Sequence, residues 1–105
     1  MLNYPQRDWL PPWRSLRPEE VKQLEAELRH EATPLHALYG KKTRAVARRE
    51  DNDDVLYHIS DDGRYAVAHL TWTGNNEENW PHVTFYDSLD EWIERVMEAD
   101  HRESS

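Results

Sequence analysis

Three histidines fall within predicted β-strands and are the residues best suited to coordinate a metal. His58, His69 and His82 would share one face of an antiparallel sheet if the side chains alternate in the register that the apolar residues favour. Imidazole nitrogen is a common ligand of zinc. However, the sequence has no H-E-x-x-H pattern and no cysteine, so nothing supplies the spacing of a known zinc site. We therefore expect surface or hydrogen-bonded histidines and no cofactor, with a metal-dependent enzyme built on them as an alternative.

Acidic residues gather in three segments that are predicted to be loops or turns. The D-N-D-D run at residues 51–54 lacks the alternating ligands, the glycine and the terminal glutamate of a calcium-binding loop. Loops on a rigid sheet commonly carry recognition, so these segments are predicted to contact a protein partner. A hydrated acidic surface without a ligand is the alternative. The candidate partner-binding residues are Asp51, Asp53, Asp54, Asp61, Asp62, Glu77, Glu78 and Trp80.

The residues that common catalytic mechanisms need are missing from the sequence. With 3 glycines there is no glycine-rich phosphate loop, and neither a G-x-S-x-G pattern nor a cysteine nucleophile is present. The sequence therefore favours a non-catalytic protein over an enzyme.

The charge distribution indicates which partners the protein could bind. The formal net charge is -8, and residues 51–105 hold fourteen acidic against three basic residues, whereas residues 1–50 hold seven against ten. An acidic half repels nucleic-acid phosphates and anionic lipid, so we expect no nucleic acid and no membrane among the partners. A protein with a basic surface is favoured, although charge that serves only solubility would give the same pattern.

Length and composition predict one cytoplasmic domain. A chain of 105 residues has room for a single core, and the absence of cysteine suits a reducing compartment. No apolar run approaches the ~20 residues that a membrane helix needs, and residues 1–13 do not have the pattern of a signal peptide.

The hydrophobic pattern predicts an α+β fold with an N-terminal helix, a four-stranded antiparallel meander and a C-terminal amphipathic helix. Residues 1–17 are rich in proline and tryptophan and are predicted to form an extended arm. The folded domain is predicted to span residues 18–100, and residues 101–105 are expected to be a disordered tail. The first helix should cover residues 18–30, and the strands residues 43–49, 55–60, 65–72 and 80–86.

Side-chain alternation predicts what each face of the sheet carries. The Asp61-Asp62-Gly63-Arg64 turn would pair Ser60 with Tyr65. One face then holds the core, on which both helices are expected to pack. The other face, which we call the mixed face, would carry Leu56, His58, Tyr65, Val67, His69, Thr71, His82, Thr84 and Tyr86. It would be partly open, as a protein-binding surface or as a surface covered by the arm with Trp9 and Trp13. The predicted core face comprises Val55, Tyr57, Ile59, Ala66, Ala68, Leu70, Trp72, Val83 and Phe85.

The C-terminal helix has the clearest pattern in the chain. Its apolar residues recur at helical spacing, and Ser88 with Glu91 fits a capping box, with Asp87 as an alternative cap. The apolar stripe comprises Leu89, Trp92, Ile93, Val96 and Met97.

Four short strings of this sequence resemble a family of small bacterial proteins of similar length. They are L-Y-G at residues 38–40, D-D-V-L-Y at 53–57, Y-A-V-A-H-L-T-W at 65–72 and F-Y-D-S-L-D-E-W at 85–92. The resemblance covers roughly residues 20–97 and implies no catalytic residue. It does imply a role beside polymorphic or contact-dependent toxins, where small acidic domains act as immunity proteins.

The sequence therefore predicts a non-catalytic binding protein, and the resemblance implies an immunity protein that neutralises a cognate toxin with a basic surface. A small regulatory or assembly subunit is the alternative, in which a homodimer would bury the mixed face of the sheet against itself.

Overall fold

The computed structural model describes residues 9–10, 12–32, 37–70 and 82–104. Within these ranges the chain forms one antiparallel sheet of five strands that follow each other in chain order. The strands are β1 (Trp13–Ser15), β2 (Thr43–Arg49), β3 (Asp54–Ile59), β4 (Tyr65–His69) and β5 (His82–Tyr86). Helix α1 (Pro18–Glu31) lies between β1 and β2 in the chain, and helix α2, from Leu89 to Ser104, follows β5. The α+β class and the antiparallel sheet are as predicted.

The prediction of four strands with a leading helix was wrong, because a fifth strand precedes α1. This strand, β1, is antiparallel to β2, with Trp13 opposite Arg49 and Ser15 opposite Ala47. It lies inside the segment that was expected to be an extended arm. A strand of three residues is too short for its alternation to be recognised in a sequence.

Helix α1 begins where the sequence indicates. Pro18 occupies the first helical position, and the Glu20 carboxylate accepts a hydrogen bond from the Arg17 backbone N–H at 3.0 Å. Leu16 and Val21, which flank this start, both pack against the core. The helix ends one residue later than predicted, at Glu31.

The two helices pack on opposite faces of the sheet, which corrects the expectation that both would share one face. Leu24 and Leu28 of α1 join the core on the predicted face. Trp92, Ile93 and Met97 of α2 form a second core on the other face. The first core also contains residues predicted for it: Val55, Tyr57, Ile59, Ala66, Ala68 and Leu70, with Val83 and Phe85 partly buried.

Part of the mixed face of the sheet is therefore covered, whereas His69, His82 and Thr84 on the same face are exposed. Leu56 on this face is 0% exposed, and Trp9 and Trp13 pack there against Trp92. The Trp13 and Trp92 rings meet edge to face with centroids 4.9 Å apart, a geometry that aromatic pairs favour. A homodimer that buries the covered part of this face against itself would have to displace α2.

The register of the sheet contains one irregularity and differs from the predicted pairing in one hairpin. The register between β2 and β3 shifts between Ala45 and Ala47, so that Ala45 faces one core while Val46 and Ala47 face the other. In the next hairpin His58, not Ser60, lies opposite Tyr65. That difference of two residues leaves every side chain on its predicted face, because side chains alternate with a period of two.

Helix α2 starts as predicted and continues further than predicted. The Ser88 hydroxyl accepts a hydrogen bond from the Glu91 N–H at 3.1 Å. The helix is α-helical over Leu89–Trp92, widens to a π-helix over Ile93–Met97 and is α-helical again over Glu98–Ser104. The segment from residue 101 that was expected to be disordered is thus helical as far as Ser104.

Candidate functional site

Helix α2 places a row of acidic side chains between the two ends of the sheet. From Asp87 to Glu103 the chain carries seven acidic residues and two arginines. The helix starts at the end of β5, beside the β3–β4 turn, and its Asp100 contacts Trp13 and Arg49 at the opposite end. We call these acidic residues the α2 acidic band: Asp87, Asp90, Glu91, Glu94, Glu98, Asp100 and Glu103.

The β2–β3 turn is joined to the α2 acidic band by one arginine. Arg49 makes two hydrogen bonds of 2.8 Å to the Asp51 carboxylate and one of 3.1 Å to Asp100. The hydrogen bond from Arg49 lowers the pKa of the Asp51 carboxyl below its ordinary value. Asp51 is exposed, so it stays negatively charged at the surface near neutral pH. Arg49 thus links the predicted site residue Asp51 to Asp100 of the α2 acidic band.

Asp53 and Asp54 complete this end of the sheet. The Asn52 side chain accepts a hydrogen bond from the Asp54 N–H at 2.8 Å, which fixes the turn. The Asp54 carboxylate lies 2.7 Å from the Nδ1 atom of His69 on the next strand. Asp53 is partly exposed, and its backbone oxygen accepts a hydrogen bond from Leu70 N–H at 3.1 Å.

The Asp61-Asp62 turn lies at the opposite end of the sheet. Asp61 accepts a hydrogen bond from the Lys42 backbone N–H at 2.7 Å. Asp62 pairs with Arg64 at 2.9 Å, and this hydrogen bond lowers the pKa of the Asp62 carboxyl. The six residues of β3 separate this turn from the β2–β3 turn by roughly 20 Å. The structure therefore does not bring the two predicted turns together.

The remaining predicted contact residues, Glu77, Glu78 and Trp80, lie outside the described residues. The chain enters that segment at Leu70, which the hydrogen bond to Asp53 places beside the β2–β3 turn.

The three histidines do not form one cluster. His69 and His82 lie directly opposite each other on β4 and β5, and His69 also lies opposite Asp54 on β3. His58 is four residues further along β3, roughly 13 Å away, with its ring against Tyr65. Among the described residues, no group of three or more acidic, histidine or cysteine side chains is arranged to hold a metal ion.

Helix α1 carries a pair of acidic side chains that the sequence did not reveal as a cluster, Glu27 and Glu31. Glu31 is 0% exposed, and burial together with a hydrogen bond to Glu31 raises the pKa of Glu27 to about 7. The buried Tyr57 hydroxyl donates a hydrogen bond of 2.7 Å to the Leu24 carbonyl. Burial, and then the nearby glutamates, raise the pKa of Tyr57 well above its ordinary value. The spacing of Glu27 and Glu31 by one helical turn was the available signal.

Comparison of the chain with protein-family models, with curated proteins and with solved structures finds no match. In the part of the chain that the structure describes, neither helix combines the length and the apolar character that a membrane span requires.

Proposed function

We propose that this chain is a non-catalytic binding protein, and more narrowly an immunity protein that neutralises a cognate bacterial toxin. The observation that carries the proposal is the α2 acidic band, which extends across one face and reaches the acidic β2–β3 turn through Arg49. The partner is a protein with a basic surface, and the interaction takes place in the cytoplasm.

The arrangement of this surface suits rapid and specific association. Seven acids against two arginines give the segment from Asp87 to Glu103 a net charge of -5. Complementary charge accelerates encounter with a basic partner and disfavours anionic ones. The band lies on a helix that packs on the sheet through Trp92, Ile93 and Met97, so little conformational entropy is lost when it is bound.

The narrower assignment rests on the family resemblance of the four sequence strings. An immunity protein must bind its toxin rapidly and specifically, and an acidic surface on a packed helix suits binding to a basic toxin.

Co-expression with the product of the adjacent gene tests the proposal. The wild-type chain should rescue growth and co-purify with that product. Glu94→Lys reverses an exposed charge in the middle of the α2 acidic band and should lower the affinity about tenfold or more.

Glu19→Lys is the matched control, because Glu19 is an equally exposed acid on α1, at the opposite face of the sheet. It makes the same change in net charge and should leave rescue and affinity unchanged. Failure of the wild type to rescue or bind would reject the immunity proposal, and equal losses for both variants would reject the α2 acidic band as the contact surface.

A further inference from the structure

Three side chains that can work together at a metal lie in one row across three strands. Asp54 on β3 is opposite His69 on β4, and His69 is opposite His82 on β5. Residues opposite each other in an antiparallel pair project from the same face, with Cβ atoms about 4.5–5.5 Å apart. The two histidines therefore project from one surface of adjacent strands, and the Asp54 carboxylate flanks His69.

The contact between Asp54 and His69 fixes the orientation of that imidazole. The Asp54 Oδ1 atom lies 2.7 Å from His69 Nδ1, so Nδ1 carries a hydrogen and donates it to the carboxylate. The lone pair of the neutral ring is then on Nε2, on the side of the ring away from Asp54. The His69 side chain is 46% exposed, which leaves it accessible to a dissolved ion.

This is the arrangement that metal-binding histidines commonly show. A ligating histidine usually donates its other ring N–H to a carboxylate or a carbonyl, which fixes the tautomer and makes the ligating nitrogen more basic. A pair of adjacent imidazoles suits zinc, copper or nickel, whereas calcium and magnesium require oxygen ligands.

We propose that His69 and His82 bind one divalent transition-metal ion of the zinc class, with Asp54 positioning His69. Water completes the coordination, since among the described residues no acidic, histidine or cysteine side chain other than the positioning Asp54 joins the two histidines. This inference does not depend on the toxin-binding proposal.

Calorimetric titration of the full-length, tag-free, chelator-treated protein with ZnCl₂ tests the site. Wild type should bind one equivalent, and His69→Ala or His82→Ala should each lower the affinity about tenfold or more. Asp54→Asn should weaken binding about tenfold to a hundredfold, because it removes the carboxylate but no ligand. His58→Ala is the matched control, since His58 lies on the same sheet but away from the row, and it should bind like wild type.

A second measurement keeps the test independent of folding. Substoichiometric Cu²⁺ should broaden the ring resonances of His69 and His82 in wild-type protein and spare those of His58. Circular dichroism of the metal-free variants establishes that they are folded. The proposal is overturned if Zn²⁺ does not bind saturably, or if folded His69→Ala and His82→Ala bind it as tightly as wild type.

Discussion

Glu31 shows how a buried carboxyl group changes the chemistry of its neighbours. It lies at the end of α1 with none of its surface exposed, and one helical turn earlier Glu27 bonds to it. Two carboxylates that close cannot both ionise at low cost, so the pair retains a proton to higher pH than isolated glutamates do. The pKa of Glu27 is accordingly raised from 4.5 to about 7.

This raised pKa predicts that stability decreases as the pH rises from the acidic range to neutral. A carboxyl whose pKa is higher in the folded than in the unfolded protein stabilises the fold below 4.5 and loses that contribution as pH rises through about 7. Urea unfolding should show the wild type losing about 1–2 kcal/mol more than Glu27→Gln between about pH 5 and about pH 8, since Glu27 is partly solvated. Equal pH dependence in the two proteins would mean that the pair is ionised in the folded state.

Glu20 has the opposite behaviour, because it is paired with a cation. Its carboxylate bonds to the Arg14 guanidinium at 2.7 and 3.0 Å and to the Arg17 N–H, which lowers the pKa of Glu20 to about 2. The stability it contributes is present above 4.5 and is lost as pH falls through about 2.

Replacing Glu20 should therefore destabilise the protein near neutral pH. Glu20→Gln should cost about 1–3 kcal/mol of unfolding free energy at neutral pH, and the difference from wild type should vanish in strong acid. Glu19→Gln is the control. The Glu19 side chain is exposed and lies 3.5 Å from the Arg17 guanidinium, so this ion pair is weak and its loss should cost less than about 1 kcal/mol. Equal costs for the two variants would show that the Arg14 contact contributes nothing.

At the scale of residues the sequence predicted the start of α1, because Pro18 suits the first helical position, and the cap of α2, because Ser88 and Glu91 have the spacing of a capping box. It did not reveal that Glu31 is buried beside Glu27, since burial depends on what packs over a helix. Nor did it reveal that Asp54 contacts His69, because that pairing depends on the register of the sheet.

At the scale of elements, the short strand β1 is held against α2 by tryptophans. The Trp13 indole N–H donates a hydrogen bond of 2.8 Å to the Asp100 carboxylate, and its ring packs on Trp92. Because Asp100 also accepts a hydrogen bond from Arg49, this contact joins the first strand, the second strand and the last helix.

Removal of the Trp13 indole N–H should lower the free energy of unfolding, because β1 loses its hydrogen bond to α2. Trp13→Phe keeps an aromatic ring but loses the bond to a charged acceptor, and should cost about 2–3 kcal/mol in thermal or urea unfolding. Trp9→Phe is the comparison, because Trp9 is only partly buried, with its ring 6.0 Å from that of Trp92, and it should cost about 1 kcal/mol or less. A larger loss for Trp9→Phe than for Trp13→Phe would contradict this account of the junction.

The strands from β2 to β5 and both helices could be predicted because their apolar residues repeat with a clear period. The face of the sheet on which each helix packs could not be predicted, because the apolar stripe of a helix is compatible with either face. The π-helical turn was likewise hidden: Glu98 N–H bonds to the Ile93 carbonyl five residues earlier, yet the apolar spacing of α2 fits an ordinary α-helix.

At the scale of the whole molecule, the packing of α2 on the mixed face converts an expected contact surface into core. The exposed surface on that side includes the outer side of the helix, which carries Asp90, Glu94 and Glu103 of the α2 acidic band, whereas Asp100 bonds to Trp13 and Arg49. The sequence indicated an acidic contact surface from charge alone, but it assigned the surface to turns that lie at opposite ends of the sheet. Only the position of α2 connects those ends.

The measurement that tests the central claim most directly is the rate of association between the purified chain and the product of the adjacent gene at low and high salt. If the α2 acidic band attracts the partner electrostatically, the complex should be tight. Its association rate constant should fall about tenfold or more as salt screens the charges. Absence of binding, or an association rate that does not change with salt, would contradict the claim that the chain acts through its acidic surface.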